Sequence, residues 1–245
     1  MKFAVISDIH GNIFALRAAL AAIDREGVDR LLVLGDLFSG GHVHDILDEL
    51  RGRDALIIRG NGEGYLLDAD PAFWRRYAQF DELAAIHRAL SPEHLHWIAA
   101  LPAQISLAYP EFSLRMTHIE EPASETLTLC GHIHKPFVRG EQGRYVCNAG
   151  SVGLNFDPAF TTDVTFITCE NGELAFDQRR VPYDFEARRR VSGDNIYTRL
   201  ILRGTELGRD LWKEFLAEAR QRGGWPVPNN VWHGLFAEWV ERGLA

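Results

Sequence analysis

The chain has 245 residues, of which 46% are hydrophobic and 24% are charged. This length and composition are sufficient for one large domain with a buried core, and they exclude a disordered chain, a collagen and a small disulfide-rich scaffold. The 26 basic and 34 acidic residues give a formal net charge of -8, so we expect no broad nucleic-acid-binding surface. A local binding site for an anion is compatible with this charge.

The three cysteines and the N-terminal segment indicate the compartment. Cys130, Cys147 and Cys169 are odd in number and lack paired spacing, which argues against a disulfide framework and against a cysteine-rich zinc site. The apolar run from Met1 to Ser7 is too short for a signal-peptide core or a membrane span. The sequence therefore predicts a cytoplasmic protein that neither enters a membrane nor is secreted.

The first 60 residues alternate between strand-like and helix-like patterns. Apolar β-branched runs, and helical spacing after an Asn12 cap, predict strand, helix, strand, helix and strand at 2–7, 13–23, 31–34, 44–50 and 55–58. Because strands that alternate with helices pair in parallel, we expect a parallel sheet covered by helices.

The rest of the chain changes character twice. Residues 64–104 have a helical pattern and form a cover or an insertion, and short strands follow at 105–109, 113–117, 126–130, 145–147, 164–169 and 174–178. Helical spacing returns after Asp184, and four of the six tryptophans lie in residues 212–239. We predict one domain over residues 1–190 and a helical extension over 191–245 that packs its aromatic side chains on it, the alternative being a dimer or lid surface.

Five polar clusters follow apolar strand-like runs, and strand ends are where open α/β sheets place their sites. They are Asp8-Ile9-His10, Gly35-Asp36, Gly60-Asn61-Gly62-Glu63, His118 and Gly131-His132-Ile133-His134. A single such cluster arises by chance, and a lone histidine is usually structural. Together they offer two carboxylates, one amide oxygen and four imidazoles, a mixture that suits manganese, iron, zinc or nickel rather than calcium. Seven ligands exceed the needs of one tetrahedral ion, which indicates two metal ions.

This ordered set resembles the calcineurin-like metallophosphoesterase superfamily, and within it the small bacterial members related to diadenosine tetraphosphatase-like phosphodiesterases. The resemblance covers roughly residues 1–155. Asn148-Ala149-Gly150-Ser151-Val152-Gly153 is similar to a segment that follows the last metal motif of that group, and residues 90–95 resemble its middle helix. The resemblance implies an α/β fold, a four-layer α/β/β/α sandwich of two mixed sheets with flanking helices, here with a helical C-terminal addition.

The resemblance also implies the ligand set. Asp8, His10 and His134 would hold the first metal ion. Asn61, His118 and His132 would hold the second, and Asp36 would bridge the two. The implied reaction is hydrolysis of a phosphate ester or anhydride by a hydroxide between two divalent ions, with manganese favoured. The expected partner is a small phosphorylated substrate, nucleotides included, and a homo-oligomer is left open.

One position departs from the family pattern. Many members carry a histidine, proposed to protonate the leaving group, where this chain has Gly62. Either the leaving group needs no acid or another residue replaces it, and His42 and His44 are the nearest candidates in sequence. We keep His44 as the candidate acid beside the simpler interpretation of an exposed loop and helix start.

Two other functions compete with the enzyme. The superfamily includes a non-catalytic protein-binding scaffold, but this chain has a suitable residue at all seven ligand positions. A regulatory nucleotide-binding protein that holds metal ions with negligible turnover is the second alternative, which is conceivable because Gly62 cannot transfer a proton.

Overall fold

The strands and helices are those of a computed structural model that describes residues 1–39, 41–68 and 70–245. The strands are β1 (Lys2–Ile6), β2 (Arg30–Val33), β3 (Ala55–Ile57), β4 (Gln104–Ala108), β5 (Ser113–Thr117), β6 (Leu127–Cys130), β7 (Phe137–Glu141), β8 (Arg144–Asn148), β9 (Thr161–Glu170) and β10 (Glu173–Pro182). The helices are α1 (Ile13–Glu26), α2 (Val43–Arg51), α3 (Asn61–Leu67), α4 (Pro71–Trp74), α5 (Asp81–Ala89), α6 (Pro92–Ala100), α7 (Phe185–Val191), α8 (Ile196–Leu207), α9 (Leu211–Gly223) and α10 (Asn229–Glu241).

The first sheet has the strand order β10-β9-β1-β2-β3. Strands β1, β2 and β3 are parallel, with Ala4 opposite Leu31 and Leu31 opposite Ala55, as the βαβαβ pattern predicts. Strand β9 is antiparallel to β1, and β10 returns beside β9 through a two-residue turn at Asn171-Gly172. The sheet is therefore mixed, with its parallel strands on one side.

The second sheet has the order β4-β5-β6-β8-β7 and is also mixed, which confirms the predicted fold class. The sequence pattern missed β7, because Arg139, Gly140 and Glu141 interrupt the apolar alternation of this exposed edge strand. Gln142 and Gly143 both have positive φ, the geometry that matches the twist of a tight hairpin.

The two sheets pack face to face, and β1 contributes to both sides of its sheet. Phe3 and Val5 pack in a core with Met116 and Leu129 of the second sheet. Ala4 and Ile6 point the other way, into a core with α1, α2, α5 and α6. Because β1 is the central strand and both of its faces are covered, residues 3–6 are all apolar and buried.

The C-terminal helices have an apolar cluster of their own, built around Phe215, Trp232 and Trp239. They also contact the middle helical segment, where the Gln79 side chain accepts a hydrogen bond from the Val227 backbone at 3.0 Å. Trp225 differs from the other C-terminal tryptophans because 52% of it is exposed. Within the described residues, every helix is too short or too polar to cross a membrane.

Candidate metal centre

All seven predicted ligands lie at one edge of the sandwich, where strands of both sheets end. Asp8 and His10 follow β1, Asp36 follows β2, and Asn61 opens α3 just after β3. From the second sheet, His118 follows β5, and His132 and His134 follow β6. Since β1, β2 and β3 are parallel, and so are β5 and β6, their carboxyl ends meet at this edge. The chain fold thus assembles residues that are up to 126 positions apart in sequence, from Asp8 to His134.

The backbone at this edge is unusual. Five of the seven residues have left-handed φ angles between 45° and 69°, namely Asp8, His10, Asp36, His132 and His134. A non-glycine residue in this region costs on the order of 1–3 kcal/mol and persists only where the surroundings impose it. Hydrogen bonds between neighbouring loops impose it here, from the Asp8 N–H to the Gly35 carbonyl and from the His10 N–H to the Asp36 carbonyl, both 3.0 Å.

A first group of ligand atoms surrounds Asp8. Its Oδ1 atom lies 3.2 Å from Nε2 of His134 and 3.5 Å from Nε2 of His10. The two imidazole Nε2 atoms lie 3.1 Å apart. One carboxylate oxygen and two imidazole nitrogens therefore converge on one point, and these are the three residues expected to hold the first ion.

A second group centres on Asn61. Its Oδ1 atom lies 3.0 Å from Nε2 of His118 and 2.9 Å from Nδ1 of His132. Oδ2 of Asp36 lies 3.4 Å from Nε2 of His118 and 3.7 Å from Nε2 of His10, so it faces both groups. This position between the groups is the one that a bridging carboxylate requires.

In both Asp8 and Asp36, one carboxylate oxygen accepts a backbone hydrogen bond, and the other oxygen faces the ligand atoms of the centre. The His132 backbone donates to Oδ2 of Asp8 at 2.9 Å, and the Gly62 backbone donates to Oδ1 of Asp36 at 2.7 Å. Oδ1 of Asp8 is buried, and no described residue donates a hydrogen bond of acceptable geometry to it. A buried anionic oxygen without a donor is costly unless a cation meets it, so the residues present fit a bound metal ion.

The pKa values of Asp8 and His118 also reflect attraction between carboxylates and imidazoles at the centre. Burial raises the pKa of Asp8, but its contacts with His10 and His134 outweigh burial and hold the pKa well below its usual range. Burial lowers the pKa of His118, but the Asp36 carboxylate outweighs burial and raises it to about 9. In the protein without metal, the protonated His118 imidazole thus supplies positive charge that the Asp36 carboxylate attracts.

A second layer of contacts orients the imidazoles. Nδ1 of His118 lies 2.7 Å from the Leu34 carbonyl, and Nδ1 of His10 lies 2.8 Å from the Ser39 hydroxyl. The Ser39 hydroxyl also interacts with the Tyr197 hydroxyl of α8. Partners of this kind fix the tautomer and ring orientation of metal-binding histidines. Ser39 and Tyr197 were not predicted, since 158 residues separate them in sequence and neither stands in a motif.

Glu63 is a further residue whose role sequence reasoning missed. It is fully buried, and its carboxylate accepts hydrogen bonds from the backbone N–H groups of Asp36, Leu37 and Gly60 at 2.8–2.9 Å. The sequence contains a pattern that could have indicated this role, because a glutamate three residues after a helix N-cap often accepts a hydrogen bond from the cap's backbone N–H. Glu63 therefore ties the loop that carries Asp36 to the start of the helix that carries Asn61.

The segment Asn148–Gly153 makes hydrogen bonds to the backbone of the loops that carry the ligands. The Asn148 side chain donates to the Gly131 carbonyl at 2.6 Å, and the Ser151 hydroxyl donates to the Asp8 carbonyl at 2.8 Å. A Cβ atom at Gly153 would lie 2.0 Å from the Ile9 carbonyl oxygen, so only glycine permits this close approach. Ser151 is thus engaged in holding the Asp8 loop.

The two candidate acids lie apart from the cluster. His44 is exposed on α2, and its ring centroid is 5.0 Å from that of His94 on α6. His42 contacts Phe14, and its Nδ1 lies 3.1 Å from the Asp45 carboxylate. Neither belongs to the lining of the cavity over the centre. The acid role of His44 has no support from this placement and stays a prediction.

The cavity over the centre has a volume of about 740 Å³. His10, Asp36, Asn61 and His134 form its floor. Its walls come from the middle helices α3, α4 and α5 and from the C-terminal helices α8 and α9. Side chains with perturbed pKa values at the floor of a cavity of this size are typical of a small-molecule site.

Comparisons with known proteins agree with this arrangement. The sequence pattern described as "Calcineurin-like phosphoesterase superfamily domain" matches residues 1–172. Uncharacterized protein MJ0912 of Methanocaldococcus jannaschii is 26% identical over 176 residues, which are 64% of this chain and 72% of that protein.

Two solved structures share the fold. Hypothetical protein PH1004 from Pyrococcus horikoshii OT3 aligns with a TM-score of 0.65 and 18% identity, over 78% of this chain and 92% of that one. A metallophosphoesterase from Sphaerobacter thermophilus aligns with a TM-score of 0.62 and 21% identity, over 86% of this chain and 99% of that one. The likeness extends beyond residue 172 of this chain, because 86% coverage exceeds the matched domain.

Proposed function

Because the chain belongs to the calcineurin-like phosphoesterase superfamily, we propose that it hydrolyses a phosphate ester or anhydride at a centre of two divalent metal ions. The observation that carries this proposal is the position of Asp36, whose Oδ2 atom faces His10 of one ligand group and His118 of the other. We assign Asp8, His10 and His134 to the first ion and Asn61, His118 and His132 to the second, with Asp36 shared.

Divalent ions in such a centre supply Lewis-acid activation of water and of the phosphate oxygens. The protein's part is to hold the ligands and to keep the site cationic. Asp8 and Asp36 bring two negative charges, fewer than the four positive charges of two divalent ions, so a phosphate is attracted although the chain is acidic overall. Manganese is the ion we favour, with iron, zinc and nickel as the alternatives that this N/O ligand set accepts.

We also assign the chain to the small bacterial diadenosine tetraphosphatase-like phosphodiesterases, on the strength of its Asn148–Gly153 segment. The expected partner is a small phosphorylated molecule, not nucleic acid. A reducing, cytoplasmic location is supported by the three cysteines, each of which is a buried free thiol. Burial also raises the pKa of the Cys147 thiol to about 12, which keeps that group unreactive.

A hydrolysis panel on metal-loaded protein tests the proposal. The purified protein is stripped with a chelator, reloaded with manganese, zinc or nickel, and assayed on monoesters, diesters and anhydrides, with metal content measured on each sample. We expect turnover that requires metal and two ions per chain. His132→Ala serves as the inactive variant, and His96→Ala, an exposed residue outside the centre, serves as its matched control.

The same experiment separates the two alternatives. A non-catalytic metal-binding scaffold would hold metal ions but neither bind nucleotide nor hydrolyse any compound of the panel. A regulatory nucleotide-binding protein would hold two ions and bind nucleotide without turnover. Either outcome would contradict the enzymatic proposal.

A further inference from the structure

We propose that the cavity over the metal centre selects phosphate esters whose organic group is aromatic and carries no further negative charge. This inference rests on the proposed function, because it takes the floor of the cavity as the place where the phosphate binds. It concerns the helical roof, which lies outside the seven predicted ligands.

The roof of the cavity is aromatic. Trp225, between α9 and α10, packs edge-on against Phe80 of the middle segment, with ring centroids 5.6 Å apart. Trp212 of α9 lines the same cavity and packs edge-on against Tyr197, at 4.9 Å. Tyr65 completes this lining from α3.

Two of these rings are exposed to an unusual degree. Trp225 is 52% and Tyr65 is 60% exposed. Large aromatic surfaces left in water are unfavourable, and rings at the mouth of a cavity gain most when a flat apolar group covers them. Since the floor below them is suited to a phosphate, the group that reaches them is the organic part of a phosphate ester.

The charges of the cavity decide what kind of aromatic group fits. Away from the floor, the described lining residues include the carboxylates of Asp68, Asp70, Glu82 and Asp210 and the guanidinium of Arg220. The guanidinium lies over the Trp225 ring, 4.2 Å from its centroid. The carboxylates of Asp68, Asp70 and Asp210 alone outnumber this guanidinium, so they repel a group that carries more phosphates or a carboxylate.

Gly62 also favours esters with an aromatic organic group, for a reason of reactivity. It lines the cavity, and a Cβ atom there would lie 3.1 Å from Oδ1 of Asp36, closer than most side chains permit. With no proton donor at this position, departure of the organic group is easiest when it tolerates negative charge. Aryl groups meet this requirement and also fit the aromatic roof.

Binding of phosphonates tests the inference separately from leaving-group chemistry, because their C–P bond takes the place of the hydrolysable ester bond. The manganese-loaded protein is titrated by calorimetry with phenylphosphonate, methylphosphonate and 4-carboxyphenylphosphonate. We expect phenylphosphonate to bind about tenfold more tightly than methylphosphonate, the usual range for one aromatic contact. The added carboxylate should weaken binding of the phenyl compound several-fold.

Variants assign the preference to the roof. Trp225→Ala should reduce the ratio of phenylphosphonate to methylphosphonate affinity to about threefold or less and leave methylphosphonate affinity unchanged. Trp225→Phe should keep most of this affinity ratio. Val240→Ala, which shortens an exposed side chain of α10 outside the cavity, is the matched control and should leave both affinities unchanged.

Each other outcome counts against the inference. Equal affinities for phenyl- and methylphosphonate, a ratio that Trp225→Ala leaves unchanged, or tighter binding of the carboxylated compound would overturn it while leaving the proposed function intact. If neither phosphonate binds the metal-loaded protein, the proposed function fails and this inference fails with it.

Discussion

The Glu63 carboxylate accepts a hydrogen bond from the backbone N–H of Asp36 at 2.9 Å, and the same oxygen accepts one from the Gly60 N–H at 2.8 Å. A single buried side chain thus fixes the loop after β2 relative to the loop after β3. Burial raises the pKa of Glu63 to about 7, with the negative charge of Asp36 as the second cause. Glu63 therefore stabilises the geometry of the centre although it faces away from the ligand atoms.

Glu63→Gln should destabilise the metal-free protein by about 1–3 kcal/mol at pH 8, because the amide nitrogen cannot accept a hydrogen bond and leaves a buried backbone N–H without a partner. The free energy of unfolding is measured by urea denaturation in the presence of chelator. Glu93→Gln is the matched control, since its side chain is 76% exposed and its ion pair with Arg51 contributes little. Equal losses in the two variants would assign Glu63 no special role.

Asp36→Asn should weaken the binding of both metal ions, because Oδ2 of Asp36 is the ligand atom that faces both groups. We expect two manganese ions per chain in the unmodified protein and fewer than one in the variant, measured by elemental analysis after gel filtration. Asp54→Asn, with a side chain 90% exposed, controls for the lost charge. Retention of one ion at full occupancy in Asp36→Asn would contradict the shared position.

The sequence was sufficient to predict that these seven side chains lie together, because each of the five ligand clusters follows a strand. An apolar run that stops at Asp8-Ile9-His10 is a local pattern, and the parallel order of β1, β2 and β3 follows from the helices between them. The carboxyl ends of these strands then meet without any knowledge of side-chain packing.

The roof and the second layer of contacts were not predictable in the same way. The contact of Tyr197 with Ser39 depends on how α8 lies over the loop after β2, which no local pattern specifies. Strand β7 was missed for a related reason. As an exposed edge strand it needs no apolar alternation, and only its pairing with β8 defines it.

Ser39→Ala should weaken metal binding by about tenfold or more, because the Ser39 hydroxyl is the partner of Nδ1 of His10 and such partners typically contribute 10- to 100-fold in affinity. Manganese affinity is measured by competition with a fluorescent chelator. Ser124→Ala, at an exposed position, is the control and should have unchanged affinity. Unchanged affinity in Ser39→Ala as well would show that His10 needs no such support.

His10→Ala and His132→Ala should abolish turnover and leave the fold intact, because the apolar cores between the sheets and under α1 bury most of the apolar surface. Circular dichroism and the urea midpoint should stay close to those of the metal-free parent protein. Removal of metal with a chelator should likewise leave a folded protein. Cooperative unfolding on chelation would mean that the centre is required for the fold.

His44→Ala should leave the rates on aryl and alkyl phosphates unchanged, because His44 is exposed on α2, packs beside His94 and does not line the cavity over the centre. The ratio of aryl to alkyl rates should then be high in both proteins, since Gly62 donates no proton and the leaving group must accept negative charge. kcat/KM is measured for phenyl phosphate and ethyl phosphate, under conditions in which the chemical step limits the rate. A loss of roughly 10²- to 10⁴-fold on ethyl phosphate alone is the effect expected of a general acid, and it would restore the acid role of His44. Equal rates on the two substrates in His44→Ala would require a proton donor other than His44, because an alkoxide leaves far less readily than a phenolate of pKa about 10.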